Sequence, residues 1–467
     1  MTKANTRIAP NDAQLPFLAT LLDERTMACI FERHLIAQPS VSFAITQCEI
    51  ERIKYRPHRN CLVAYRLTLN GDTEERELRV CVGMFEPAEA QSRYLSSLST
   101  AIAIPQFAPV IHIEALDSVM WVFPNERKLK ALPILADAGK LRESVVTQVV
   151  RSRWGAGWEI VHLSHSVSNY FPEHSCCAHV HLNLFNTVNA TRRNWEIIGK
   201  IHYDDAGSQT HETMSALWGR SDSDVAFARP LVYAPDQQIH WQERVPGVTL
   251  HSLLETGAAT KIVLNRIARA IGALHRISGV TPQRIAISDV VEDLNKARLI
   301  IADVRPDCAA AVADVVGILL DSVKYVTSEA LATMHGDLHS KNILVDGAQI
   351  YLVDLDRVCI GPAIMDLGSF LAELIYRGCI SGLPWEALEL QLQAIVESYC
   401  QSVPWRIADK DMAWHTASAL IRERALRAVT SLKPGGWNTL REILATAHRI
   451  ATDGVFSRTA TASRRVA

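Results

Sequence analysis

The chain has 467 residues, of which 48% are hydrophobic and 21% charged, a balance that suits a globular protein of two or three domains rather than one core. Its 48 basic and 50 acidic residues leave a net charge of −2, so no overall field draws it to nucleic acid or to a membrane surface. Ten cysteines without a Cys-x-x-Cys pair, a polar Met1–Gln14 without an apolar core, and no apolar run near the ~18 residues of a membrane span point to reduced thiols in the cytoplasm and no secretory signal.

After a polar start and helical segments to about residue 45, Ile50–Leu69 alternates as strand around Tyr55-Arg56-Pro57-His58-Arg59-Asn60-Cys61. Asn70-Gly71 reads as a turn and Glu77–Val82 as the next strand. A helix over Ala88–Leu98 and strands at Pro109–His112 and Val119–Val122 follow. That order recurs. Tyr170-Phe171-Pro172-Glu173-His174-Ser175-Cys176 echoes the first Tyr-x-Pro stretch. Trp195–His202 is then a strand carrying Lys200, His211–Trp218 a helix, and Pro230–Tyr233 and Gln238–Val245 two strands. In this register Cys81 falls where Lys200 falls.

Lys200 is the one charge in Ile197-Ile198-Gly199-Lys200-Ile201. It reads either as a phosphate ligand or as a strand lysine reaching for water. Glu212, on the following helix, is the carboxylate expected to hold it in place. His179 and His181 share one strand face, but no carboxylate stands at matching spacing on that face, so a plain strand face is expected rather than a metal site.

Val263, Ile267, Ile271 and Leu274 step as one buried helical face, and helical runs cover Asp289–Ala302 and Cys308–Val323. Residues 333–356 carry the chemistry. Asp346-Gly347 between Ile343–Val345 and Ile350–Val353 predicts a hairpin. Folding there brings Asn342 and Asp354 to one mouth, with Asp337 in the loop that feeds it. Acid, amide and acid at one mouth suit phosphoryl transfer from ATP: one carboxylate takes the hydroxyl proton, and the amide oxygen and second carboxylate hold Mg²⁺. The spacing from His335 through Asp337 to Asn342 is that of a kinase catalytic loop.

His335-Gly336-Asp337-Leu338-His339 with Asn342, followed by Val353-Asp354-Leu355-Asp356, resembles the aminoglycoside phosphotransferase and choline kinase family. Pro362 through Asp366-Leu367-Gly368 resembles a further segment of that family, and Gly336 stands where protein kinases carry Arg. The resemblance implies an α+β, protein-kinase-like bilobal fold, with a β-rich N-lobe and a helical C-lobe. It implies Asp337 as base, Asn342 and Asp354 as Mg²⁺ ligands, and Asp366 as a brace, with His335 and Asp356 in support. Gln242–Gly247 resembles the hinge, whose backbone at Glu243 and Val245 would meet the adenine edge. The expected organisation is 1–155, a degenerate N-lobe-like domain; 156–247, the N-lobe; 248–455, the C-lobe; and 456–467, a mobile tail.

One departure stands out. The expected phosphate-covering region, Val161–His181, has no glycine, leaving Ser164, Ser166, Ser168 and Asn169 as small donors. The acceptor side falls among late helices, with Glu373, Arg377, Trp405, Trp414, Arg422 and Glu423 as candidates; Trp385, Trp405 and Trp414 would be needed for an aromatic box. The expected partner is a small-molecule hydroxyl (sugar, aminoglycoside or amino alcohol), with ATP and Mg²⁺, and homodimerisation left open. Only twelve positions separate Asp354 from Asp366, which argues against a protein kinase with its long activation loop. The alternative is a non-catalytic nucleotide-binding scaffold.

Overall fold

The computed structural model describes residues 9–35, 43–70, 75–202, 206–327 and 330–456. The turn expected at Asn70-Gly71 and the tail expected over 456–467 lie wholly or largely outside them. The fold is mixed α+β, rich in β-sheet toward the N-terminus and helical toward the C-terminus. It divides into two compact units: Met1–His211, Pro230–Arg244 and Thr430–Pro434 form one; Glu212–Arg229, Val245–Val429 and Gly435–Ala467 form the other. None of the described helices is long and apolar enough to cross a membrane.

The first unit holds two five-stranded antiparallel sheets. The first is built from β1 (Ala44–Arg56), β2 (Asn60–Asn70), β3 (Glu75–Met84), β4 (Val110–Ile113) and β5 (Ser118–Val122) in the order β1-β2-β3-β5-β4. The second is built from β6 (Trp158–Phe171), β7 (Ser175–Asn186), β8 (Arg192–His202), β9 (Pro230–Ala234) and β10 (Ile239–Glu243) in the matching order β6-β7-β8-β10-β9. A helix follows the third strand of each, Pro87–Leu98 in the first and Ala206–Trp218 in the second.

The ladders set the correspondence between the sheets. Tyr55 pairs with Cys61 and Tyr170 with Cys176 across the first hairpins. Cys61 then pairs with Met84, and Cys176 with Ile201. One step along, Leu62 faces Gly83 and Cys177 faces Lys200. Gly83, rather than Cys81, therefore stands where Lys200 stands. Cys81 shares its face but lies two residues earlier: the β7–β8 hairpin is two residues longer than the β2–β3 hairpin, which sets Lys200 on Gly83, whereas equivalence with Cys81 would need a difference of four.

Both faces of the first sheet are covered. Tyr65 packs edge-on against Phe31 of the helix Glu24–His34, a helix capped by Asp23 through the Thr26 amide at 2.7 Å. On the other face Leu62, Ala64, Cys81 and Trp121 enter a core with Leu129, Leu132, Leu141, Val146 and Val150. One face of the second sheet joins the same core through Cys176, Ala178, Val180, Ile197 and Trp241. Gly199 makes room for Trp241, since a Cβ there would lie 2.8 Å from the indole. On the opposite face of the second sheet Cys177, His179, Ile198, Lys200 and Gln242 are half-buried, while His202 and His240 beside Lys200 are buried.

In the second unit the hairpin forms from β11 (Ile343–Asp346) and β12 (Gln349–Leu352). Its turn is Gly347-Ala348, one residue later than the Asp346-Gly347 expectation, and Gly347 takes φ 54°. Val248–Thr249 pairs with β11, and Ala226–Phe227 runs parallel to β12. Around this small sheet lie the amphipathic helix Lys261–Arg276, capped by Thr260, and the buried helix Ala363–Ser381. Within the helical stretch from residue 409 to 430, Leu420–Ala425 widens into a π-helical turn.

Candidate active site

The mouth of the β11–β12 hairpin is held by backbone bonds. The Val353 amide donates to the Asn342 carbonyl at 3.0 Å, and His335 Nε2 donates to the Val353 carbonyl at 2.9 Å. Asn342 Nδ2 donates to the Asp337 carbonyl at 3.0 Å. Asn342, Val353 and the Asp337 backbone are thereby tied to one another, with Asp354 the next residue after Val353. Asp354 is exposed and takes φ 64° and ψ 58°, a left-handed conformation uncommon outside glycine. Asp356 is half-buried in the turn Leu355–Arg357 that follows.

Gly336 is required where it stands. Its φ is 75°, and a Cβ would come within 2.2 Å of the Arg357 carbonyl oxygen. No larger side chain, including the arginine of protein kinases, fits without moving that backbone.

Asp366 is 3% exposed and lies beneath the loop. Its carboxylate accepts from the His335 amide and, at 3.0 Å, from the Gly336 amide. His275 Nε2 lies 3.3 Å from it, and His275 Nδ1 lies 2.7 Å from the Tyr399 hydroxyl. Burial alone would push the Asp366 carboxyl up, but the His275 hydrogen bond, the His275 and His335 charges and the loop amide outweigh it and hold its pKa below the usual value. Donors converging on a buried carboxylate fix the loop's path.

Asp337 is half-buried, with His339 Nε2 at 3.8 Å and Arg427 Nη2 at 4.0 Å from its carboxylate. Burial lowers the His339 pKa against the opposing pull of Asp337. Behind the loop, Glu373 accepts from Ser340 Oγ at 2.9 Å and pairs with Arg424 at 2.8 Å. The Arg424 charge and these hydrogen bonds outweigh burial and keep Glu373 ionised. Arg422 pairs with Glu423 at 2.8 Å, and Glu423 accepts from Ser369 Oγ at 2.8 Å. Arg422, Glu423 and Arg424 all come from the π-helical turn, a form that often marks working sites.

In the first unit Lys200 lies half-buried on β8, paired across the ladders with Cys177 and His240. Burial and the neighbouring His211, His202 and Lys200 charges push the pKa of His240 down to about 3. Glu243 ends β10 opposite Ile197, and its side chain pairs with Arg153 at 2.8 Å. Val245 is half-buried just beyond that strand.

Glu212 is exposed and forms no ion pair among the described residues; its helix turns Thr213, Met214 and Leu217 inward. The serine expectation for the phosphate-covering region also changes. Ser164, Ser166 and Ser168 lie along β6, while the connection to β7 is Pro172-Glu173-His174. Glu173, at φ 55°, holds the left-handed position a glycine would take. It is buried, with Arg127 Nε at 2.8 Å and Lys128 Nζ at 3.7 Å.

The tryptophans form no aromatic box. Trp385 lies under Arg449 at 3.7 Å, and buried Trp414 donates to the Leu319 carbonyl at 2.9 Å. Arg377 donates to His251 Nδ1 at 2.7 Å. Sequence reasoning missed His275, Tyr399, Ser340, Arg424 and Arg427. The only local signal was the Arg-Glu-Arg run at 422–424, whose face a 3.6-residue period misplaces once the helix widens.

Residues 199–403 match the phosphotransferase enzyme family. That is the family its motifs resemble, and the matched segment runs from Gly199 through the hairpin, the Asp366 brace and Glu373. Similar solved structures include a choline kinase from Cryptosporidium parvum, 12% identical, covering 65% of this chain and 93% of that one, with a TM-score of 0.43. A thermostable mutant of the aminoglycoside phosphotransferase APH(4)-Ia is 13% identical over 66% of this chain and 99% of its own, with a TM-score of 0.44. The amicoumacin kinase hAmiN is 12% identical over 62% and 89%, with a TM-score of 0.43. No curated protein matches the chain. The phosphotransferase segment begins one residue before Lys200, so it leaves out all of the first sheet and the glycine-free β6–β7 hairpin.

Proposed function

We propose that the protein transfers the γ-phosphoryl group of ATP to a hydroxyl of a small molecule. The observation that carries this reading is the Asp337–Asn342–Asp354 mouth held on a backbone braced by Asp366. Asp337 is the base: it orients the acceptor hydroxyl and takes its proton as the oxygen attacks. Asn342 and Asp354 suit Mg²⁺, because both offer hard oxygens and Asn342 Oδ1 accepts no hydrogen bond among the described residues. A magnesium ion held there supplies positive charge against the triphosphate oxygens. Lys200 is assigned to the nucleotide phosphates, and the backbone around Glu243 and Val245 to the adenine edge.

Arg427 narrows the acceptor. Its guanidinium, half-exposed beside Asp337, puts positive charge where a cationic acceptor would have to place its own. Glu373 and Glu423 are already neutralised by Arg424 and Arg422. A neutral sugar-like hydroxyl therefore suits the site better than an aminoglycoside or amino alcohol. The pinned, glycine-free Pro172–His174 turn favours a second reading, a nucleotide-binding scaffold that does not turn over.

The deciding experiment is ADP formation by the full chain with Mg-ATP across neutral sugars, aminoglycosides and amino alcohols, with product mass read in parallel. The proposal expects one class, neutral sugars, to gain a phosphoryl group. Nucleotide binding without any acceptor-dependent ADP would favour the scaffold.

A further inference from the structure

A second constellation lies on the half-buried face of the second sheet. His179 and His181 are two positions apart on β7 and point to the same side. The β7–β8 ladder sets Glu196 directly opposite His181, supplying from the neighbouring strand the carboxylate that β7 itself lacks. His179 Nε2 is 3.4 Å and His181 Nδ1 is 3.2 Å from the Glu196 carboxylate. The imidazole centroids are 4.2 Å apart, and one ligand atom from each of the three residues lies within 4.8 Å of the others. His179 Nε2 is buried and makes no hydrogen bond.

We propose that His179, His181 and Glu196 form a binding site for one divalent transition-metal ion, of which Zn²⁺ is the type. Two imidazoles and one carboxylate form the donor set of three-ligand zinc sites that leave a fourth position to water. Imidazole nitrogen selects such ions over Mg²⁺, which prefers oxygen. Small rotations of three side chains would contract the cluster to bonding distance, and the idle His179 nitrogen would gain a partner. Arg244 is the competitor. Its guanidinium holds Glu196 Oε2 at 2.7 Å, leaving Oε1 toward His181. Glu196 and Lys200 are four apart on β8, so the ion would share the face that carries Lys200. The site is independent of the phosphotransfer reading and needs no nucleotide.

The test is titration of the chelator-stripped full chain with Co²⁺, read by its visible absorption, and with Zn²⁺ by competition. One equivalent is expected per chain. His179→Asn and His181→Asn should each weaken binding by at least about tenfold, and Glu196→Gln should weaken it less. Arg244→Gln should tighten it several-fold, a gain that a misfolded variant cannot produce. His448→Ala, far along the chain on an exposed helical position, should change nothing. No uptake, uptake unchanged in both histidine variants, or no gain in Arg244→Gln would overturn the proposal.

Discussion

The two five-stranded sheets share a strand order and differ in what lies on one corresponding face. In the second sheet that face presents Cys177, His179, Ile198 and Lys200, all half-buried. In the first, the ladders put Leu62, Ala64, Cys81 and Gly83 at those positions, and they are buried with Leu129–Val150. A face that can meet a polar ligand in one sheet is packed with hydrocarbon in the other. The same strand order therefore serves as a ligand-facing surface once and as core once, and the difference rests on a few side chains rather than on topology. We propose that the two arose as copies and that the first gave up ligand binding for packing.

The largest effect is expected at the hairpin that follows only the second sheet. Asp337→Ala should lower turnover by ~10²–10⁴, or about 3–5 kcal/mol of barrier, with ATP affinity little changed. Steady-state kinetics would check it, and normal turnover would remove Asp337 from its role.

Next comes Gly83→Lys, which puts the second sheet's lysine into the first. A Cβ at Gly83 already comes within 2.8 Å of Leu62 and 2.7 Å of Phe85. Burying an unpaired ammonium there should cost about 3–5 kcal/mol, read as a lower urea midpoint. Lys200→Ala on the half-open face should cost less than about 1 kcal/mol. Equal losses would break the contrast.

Gly336→Ala tests the catalytic loop rather than the sheets. With φ at 75° and the Arg357 carbonyl 2.2 Å from the new Cβ, it should lose about 1–3 kcal/mol of stability and with it the loop geometry. Thermal unfolding and turnover should fall together.

The smallest effect is on pH dependence. The ladders place His240 of the second sheet where the first has Val119. Burial holds the His240 pKa near 3, below its unfolded value of 6.5. The unfolded chain then takes up the proton first, so stability is unaffected above pH 6.5 and falls as pH drops from 6.5 toward 3. His240→Phe should flatten that part of the profile for urea unfolding, though His415, also held near 3 by burial, keeps some slope in the other unit. A wild-type slope left intact would show that His240 is not its source.

Much of the site was legible because its chemistry is local in sequence. His335, Asp337, Asn342 and Asp354 fall within twenty residues, and the Asp346-Gly347-Ala348 stretch forces the fold-back. The recurring strand order was legible from turn and strand signals, but the register between the sheets was not. The length of the hairpin connection shifts every position after it: the ladders show a difference of two residues, whereas matching Cys81 to Lys200 assumes four. Glu196 beside His181, Arg127 on Glu173 and His275 under Asp366 are contacts between distant segments, and no periodicity announces them. Glu212 is exposed because its helix's inward face follows the apolar residues, not its one carboxylate.

The most direct measurement is the stoichiometry of nucleotide binding by calorimetry, with and without Mg²⁺, on the full chain and on Lys200→Ala and Asp354→Ala. One nucleotide per chain is expected, dependent on Mg²⁺ and greatly weakened in both variants. Two nucleotides per chain, none at all, or an affinity indifferent to Lys200 and Asp354 would contradict it.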